Sequence, residues 1–400
     1  MTIIVQKYGR KSVGSFERIQ KLADRILLYR KKGQHLVVVL SPMGSTADAL
    51  PELRKHYESM LDSSKLGMLL STGEEVSAAL LTMILSRNNC ETIAMTGPQT
   101  SKRIDEQDGI SKRFAIHLEK VKDSLQQGKV VILAGFQEAT ESREFTMERT
   151  DSTAIALAGE LDADYCEIYS DEDGVYTPDP RIVPEAKKLT IISYLEMLEL
   201  TRMGLTVLHP RSVETAWKYH IPVHIRSGDL AMSGTWIADH EPLEGEETLL
   251  KLTHLDNMAV IYVRGEGLQE RIAKMATELY SANIPIYSLN RQTSEISFPV
   301  KTNLLDSVIE VLENHQDALQ FESFTSINDV VKISIIGSRR ESHAGILNQI
   351  TPALQEQDIS IIWVYKNIHR VSIAVSKQVA EKALQILHRE LHERKDHATP

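Results

Sequence analysis

Val130-Val131-Ile132-Leu133-Ala134-Gly135-Phe136-Gln137, Thr150-Asp151-Ser152-Thr153-Ala154-Ile155-Ala156-Leu157-Ala158 and Cys166-Glu167-Ile168-Tyr169-Ser170-Asp171-Glu172-Asp173-Gly174-Val175-Tyr176-Thr177-Pro178-Asp179-Pro180-Arg181 together decide the fold. The first is an unbroken apolar run ending in a polar turn, the mark of a strand buried on both faces. The second opens a helix at Thr150/Asp151, whose short polar side chains suit an N-cap. The third is a short strand that runs into a loop rich in Asp, Gly and Pro, which is turn chemistry. In an open α/β sheet, polar groups at the carboxyl ends of such strands are where a ligand sits.

Working outward, residues 2–6 read as a buried strand ending at Lys7. Gly9 and Gly14 mark the turn, and Ser15 caps a helix through about Arg30. Strand end, glycine turn and helix make a phosphate site or an ordinary surface turn; the residues alone fit both. Leu36–Leu40 is a second strand, followed by the loop Ser41-Pro42-Met43-Gly44-Ser45-Thr46. Gly73-Glu74-Glu75 opens a helix through about Ser86, with glutamate favoured at the positive helix end. Strands at Thr92–Met95, Phe114–Ile116 and Val223–Ser227, and helices at Ser193–Met203 and Ser212–His220, continue the alternation. His209, before Pro210, reads as a structural turn residue. The class is α/β: an open, mainly parallel sheet covered by helices.

Residues 238–250 turn acidic and polar, as a linker does. Beyond them a pattern repeats after about 74 residues, strand, helix, hairpin, helix, strand. It runs through Met258–Val263, Leu268–Ser281, Ile284–Leu289, Ile296–Val300 and Leu304–Leu312. It returns as Val331–Ile336, Ile346–Glu356, Ile359–Val364, Val371–Val375 and Val379–Leu391. Two ferredoxin-like α+β modules are predicted. The divisions are 1–240 for the α/β domain, 241–256 for the linker, and 257–327 and 328–400 for the modules.

The 400 residues carry a net charge of −10, with 42% hydrophobic and 25% charged residues, which argues against a nucleic-acid surface. Cys90 and Cys166 lie near apolar runs without metal-ligand spacing, so both are expected to be buried thiols and no metal site is predicted. The amino terminus enters a strand directly with no signal-peptide pattern, and no apolar run reaches the ~18 residues of a membrane span. A cytoplasmic protein without membrane or nucleic-acid partners is expected.

Several of these stretches carry a family resemblance. Tyr169–Arg181 resembles the nucleotide loop of aspartate kinases, in the amino-acid-kinase superfamily. Lys7-Tyr8-Gly9 with Ser12-Val13-Gly14 resembles that family's first-strand lysine motif, and Val207-Leu208-His209-Pro210-Arg211 a further signature. The likeness spans essentially the whole chain. It implies an ATP-dependent carboxylate phosphotransferase that converts L-aspartate to 4-phospho-L-aspartate, using Mg²⁺, for amino-acid biosynthesis. By the same resemblance Lys7 neutralises the transferred phosphoryl group and Asp151 organises the reacting groups. Ser41, Ser45, Glu74, Arg149 and Thr150 face the amino-acid substrate. Lys7, Gly9, Ser170, Asp171, Tyr176, Asp179 and Arg181 hold the nucleotide. The repeated modules resemble paired ACT domains, which bind an amino-acid effector and form a homodimer; Asn290, Thr293, Ser294 and Glu295 match the effector strand.

The chain also departs from that pattern. Arg10 and Lys11 stand where similar kinases have glycine and threonine. Met147-Glu148-Arg149 replaces an arginine and a glycine pair, and Thr206 replaces a lysine. A thioether cannot clamp a carboxylate as a guanidinium fork does. Two alternatives therefore stand beside aspartate kinase: a paralogue acting on another amino or carboxylic acid, or a catalytically inactive regulatory or binding protein.

Overall fold

The computed structural model describes residues 2–41, 63–96, 118–134, 148–228, 233–239, 250–286, 288–337 and 343–392. The chain forms two units. One comprises Met1–Val175, Leu189–Leu198 and Thr206–Glu241; the other Tyr176–Lys188, Glu199–Leu205 and Pro242–Pro400.

The first unit is built on β1 (Ile3–Tyr8), β2 (His35–Leu40), β3 (Thr92–Thr96), β4 (Val130–Ala134), β5 (Tyr165–Tyr169), β6 (Ile191–Ser193), β7 (Val223–Arg226) and β8 (Thr235–Ala238). They form one sheet in the order β3-β4-β2-β1-β5-β7-β8-β6. All pairings are parallel except β7 with β8. Strict alternation sets the faces. Ile4, Tyr8, Leu36, Val38, Leu40, Val130 and Ile132 share a core with the helices Phe16–Lys31 and Ser63–Arg87. Lys7 lies on the other face, where the helix Glu148–Glu160 packs against β1 and β5. Ser15 caps the first long helix by accepting a bond from the Arg18 amide at 3.4 Å.

The second unit carries β9 (Lys251–Arg264), β10 (Asn290–Arg291), β11 (Glu295–Lys301), β12 (Ser323–Ile336), β13 (Trp363–Asn367) and β14 (Arg370–Ser376) in a single antiparallel sheet, ordered β10-β11-β9-β12-β14-β13. The two modules share this sheet because β9 and β12 each run through both of them. Residues 323–327 of β12 pair with 260–264 of β9 and complete the first module. Residues 251–255 of β9 pair with 332–336 of β12 and complete the second. The cores follow the same division. Ala259, Ile261 and Val263 pack with Phe298, Val308 and Phe321. Leu250 and Leu252 pack instead with Val331, Ile333, Ile350 and Leu384.

The structure alters several boundaries. β9 begins at Lys251, within the stretch read as linker; its polar residues 254–257 hide a strand whose partner is remote in sequence. The helix expected to open at Gly73 spans Ser63–Arg87, so Glu74 lies inside it and the helix-end account of that residue fails. The helix expected to open at Thr150/Asp151 begins at Glu148, which puts both residues in its first turn rather than at a cap. No strand forms at 284–286 or 288–289; the hairpin is β10 with β11. Cys166 is buried as expected, but Cys90 is only partly so. The expected strand at Phe114–Ile116 lies outside the described residues. Among the described residues no helix is long and apolar enough to cross a membrane.

Candidate active site

β1, β2 and β5 are adjacent and parallel, so their carboxyl ends lie side by side. The Gly9 amide donates to the Tyr169 carbonyl at 3.1 Å, and the Ser41 amide to the Tyr8 carbonyl at 3.0 Å. These bonds gather Lys7, Gly9, Ser41 and Ser170 at one end of the sheet. A Cβ on Gly9 would come within 3.2 Å of the Tyr169 carbonyl oxygen and 3.6 Å of the Lys7 amine. The glycine therefore permits the close strand approach that this end of the sheet requires.

Lys7 is 4% exposed, and its Nζ lies 2.5 Å from Asp151 Oδ1. The sequence separates them by well over a hundred residues; the sheet and the helix Glu148–Glu160 bring them together. A buried ion pair repays its desolvation only with close contact, and this one has it. Asp151 also sits in the first turn of its helix, where the positive helix end favours a carboxylate. Cys166 lies on the same sheet face. Burial first, then the Asp151 carboxylate, pushes its thiol well above the ordinary range, so it is no nucleophile.

Thr150 is buried beside Asp151 in sequence, and Ser41 is buried at the end of β2. Glu74 is buried on Ser63–Arg87, the helix that covers the opposite sheet face from Asp151. Ser170 makes a tight turn, its Oγ 3.1 Å from both the amide and the carbonyl of Glu172. Asp171 pairs with the exposed Lys11 at 2.9 Å, so one of the departures from the family pattern reaches this strand end. Ser45, Met147 and the side chain of Arg149 lie outside the described residues.

The loop expected to hold the nucleotide passes from the first unit to the second after Val175. In the second unit, Tyr176 bridges to Lys188, whose amine lies 5.7 Å from the Tyr176 ring centre. Arg181 forks onto Asp179 through Nε at 3.0 Å and Nη2 at 2.7 Å. That hydrogen bonding holds the Asp179 carboxyl below its ordinary range. At the expected effector strand, Asn290 pairs with Ser297, Gly265 donates to the Ser294 carbonyl at 3.0 Å, and Arg264 Nε meets Glu295 at 2.8 Å. Thr293 is exposed in the connecting turn.

A second buried polar group escaped the sequence reading: Gln6, Tyr8, Tyr29, Glu167, Tyr169 and Arg226, on the sheet face opposite Lys7. Its sequence signal is period-two polarity, at Gln6 and Tyr8 and at Tyr165, Glu167 and Tyr169, within strands otherwise apolar enough for a parallel sheet. Burial raises the Tyr8, Tyr29 and Tyr169 phenols far above their ordinary value, and raises Tyr165 to about 12. The adjoining His224 is lowered to about 4, first by burial and then by Arg226, so it is neutral at neutral pH.

Comparison with known proteins agrees with this architecture. Residues 2–227 match the amino acid kinase family and residues 333–391 an ACT domain. The chain is 38% identical over 397 residues to aspartokinase 2 of Bacillus subtilis (strain 168), covering 97% of each protein. Among solved structures it resembles Clostridium acetobutylicum aspartate kinase, with a TM-score of 0.77 at 18% identity, covering 97% of this chain and 100% of that one. It also resembles E. coli aspartokinase III, solved with aspartate and ADP, with a TM-score of 0.71 at 19% identity, covering 97% and 99%. With both the kinase family and a full-length relative matched, the chain belongs to the amino acid kinase family, among the aspartokinases.

Proposed function

We propose that this kinase transfers the γ-phosphoryl group of ATP to the side-chain carboxylate of L-aspartate, giving ADP and 4-phospho-L-aspartate. The observation that carries the reading is the buried Lys7–Asp151 pair at the carboxyl ends of β1 and β5. A carboxylate oxygen attacks the γ-phosphorus, the bond to the β,γ-bridging oxygen breaks, and ADP leaves with that electron pair. No covalent enzyme intermediate is needed; positioning and charge neutralisation supply the catalysis. Lys7 meets the charge on the transferred group, and Asp151 holds the amine on line. Gly9 leaves room for phosphate beside the backbone. Ser41, Glu74 and Thr150 are assigned to the amino-acid substrate, together with Ser45 and Arg149. Ser170, Asp171, Tyr176, Asp179 and Arg181 are assigned to the nucleotide.

Among the described residues no group of three or more His, Cys, Asp or Glu side chains could hold a metal ion. The described residues therefore offer no all-protein cage. Mg²⁺ suits a site where nucleotide phosphates supply most of the ligands, and it neutralises phosphate charge there.

The same reading takes 1–240 as the kinase domain and 257–327 and 328–400 as a pair of ACT-like modules, the first supported by its matching strand order. Asn290, Thr293, Ser294 and Glu295 form the candidate amino-acid effector site, and the modules the surface for a homodimer. Incubation with MgATP, aspartate and hydroxylamine is the test: aspartyl hydroxamate is expected, and its absence at high enzyme concentration overturns the reading. A different carboxylic acid turned over in preference to aspartate would move the assignment to that acid.

A further inference from the structure

The Glu167 carboxylate is 2% exposed and receives four donors. Gln6 Nε2 at 2.7 Å and Tyr169 Oη at 3.1 Å meet Oε2. Tyr29 Oη at 2.8 Å and Arg226 Nη1 at 3.1 Å meet Oε1. Gln6 in turn accepts from Tyr8 Oη at 3.1 Å. The Tyr8 and Tyr169 rings stack with centres 4.5 Å apart and planes 5° from parallel, and the Arg25 guanidinium lies 4.4 Å from the Tyr169 ring centre.

The register gives this cluster its meaning. Gln6 is opposite Glu167, and Tyr8 opposite Tyr169. Lys7 therefore stands between two anchored residues of β1, with its side chain on the other face of the sheet. Tyr169 immediately precedes Ser170 and Asp171, and its carbonyl accepts the Gly9 amide. The cluster thus fixes both strand ends from behind the site, without touching what binds in front.

We infer that Glu167 is a positioning residue for phosphoryl transfer, holding the β1 and β5 ends so that Lys7 and the Ser170–Asp171 turn keep a fixed separation. A buried carboxylate with four donors is a rigid node, because freeing any partner leaves a buried polar group unsatisfied. Lost precision at such a node lowers turnover more than affinity.

The inference rests on the kinase reading for its kinetic arm, so the test has a second arm that needs no turnover. Glu167→Gln is expected to lower kcat at least tenfold, with KM for ATP and aspartate within threefold. It is also expected to speed hydrogen exchange of the Gly9 amide at least tenfold. The exchanged pair Gln6→Glu/Glu167→Gln returns the negative charge to the cluster and is expected to restore kcat to within threefold of the parent. If Glu167→Gln does not fold, Tyr29→Phe removes one donor and is expected to change kcat and Gly9 exchange at least threefold in the same directions. Gly9 exchange and kcat within twofold of the parent in the folded variant overturn the inference, as does an exchanged pair that folds without recovering turnover. A parent inactive on aspartate counts against the kinase reading alone, and Gly9 exchange then decides the role of Glu167.

Discussion

Asp151 is the residue on which the buried cation of β1 depends. Asp151→Ala leaves the Lys7 ammonium without its contact at 2.5 Å. A loss of roughly 3–5 kcal/mol in stability is expected, measured by denaturant unfolding. Lys7→Met leaves the Asp151 carboxylate without its partner, but that side chain is 14% exposed and lies in the first turn of its helix, so a smaller stability loss is expected while kcat drops by about 10²–10³. Both residues were singled out through the family resemblance; the residues alone fitted a surface lysine and a helix cap equally well, because the contact that buries Lys7 comes from a helix far along the chain. Glu167 was not, because its meaning lies in partners drawn from β1, β7 and the helix Phe16–Lys31. Lys332 makes a second residue-scale case. It is buried in β12, with its Nζ 3.2 Å from Met203 Sδ, near the pair Arg370–Glu199. Burial first, then Arg370, lowers it from 10.5 to about 7. A lysine lowered on folding binds its proton more tightly when unfolded. Its cost is thus complete below about pH 7 and fades as pH climbs toward 10.5. Lys332→Met is expected to stabilise the second unit by roughly 1–4 kcal/mol at pH 6. Thermal unfolding across this range is expected to show the gain shrinking as pH rises.

At the scale of elements, the helix Glu148–Glu160 is located by its neighbour as much as by its own residues. A Cβ on Gly159 would lie 2.4 Å from Tyr219 Cγ, so this glycine lets the helix approach Pro210–Tyr219 closely. Ser152 with Ser212 at 2.7 Å and Tyr219 with Glu160 at 2.8 Å fix the same contact. Gly159→Ala is expected to cost roughly 1–3 kcal/mol despite alanine's better helix propensity, seen as a lower melting temperature. Helix starts illustrate what a local reading can carry. Ser15 announced its helix correctly because the capping bond is made within three residues. Gly73 suggested a boundary where none exists, since a glycine inside a helix costs only about 1 kcal/mol and the rest of a long helix tolerates it. The strands of the kinase sheet were legible for a different reason. A parallel strand buried on both faces must be apolar throughout, and such runs stand out in a chain with 25% charged residues.

At the scale of the whole molecule, the repeat was legible but the strand that the second module takes from ahead of the first was not. Residues 251–256 look like connector because their partner, the second half of β12, lies some eighty residues away. Their burial comes from that pairing and from the core that Leu250 and Leu252 join. A fragment of residues 328–400 should therefore leave half of β12 without its neighbour. It is expected to remain unfolded or to aggregate, as an exposed strand edge does. A fragment of residues 250–392 contains both halves and is expected to fold. It lacks Met203, which covers the Lys332 amine at 3.2 Å, so that amine is less buried there and is expected to titrate closer to the ordinary lysine value, as read by NMR, even though the supporting charge of Glu199 is lost with it.

The shared strands also bear on inheritance. The second module takes its border strand, residues 251–255, from ahead of the first, so it cannot be duplicated or moved by recombination without taking the first along. A gene carrying only the second would encode a protein with a torn hem. Descent must therefore hand on the second repeat together with the first, as a single heirloom.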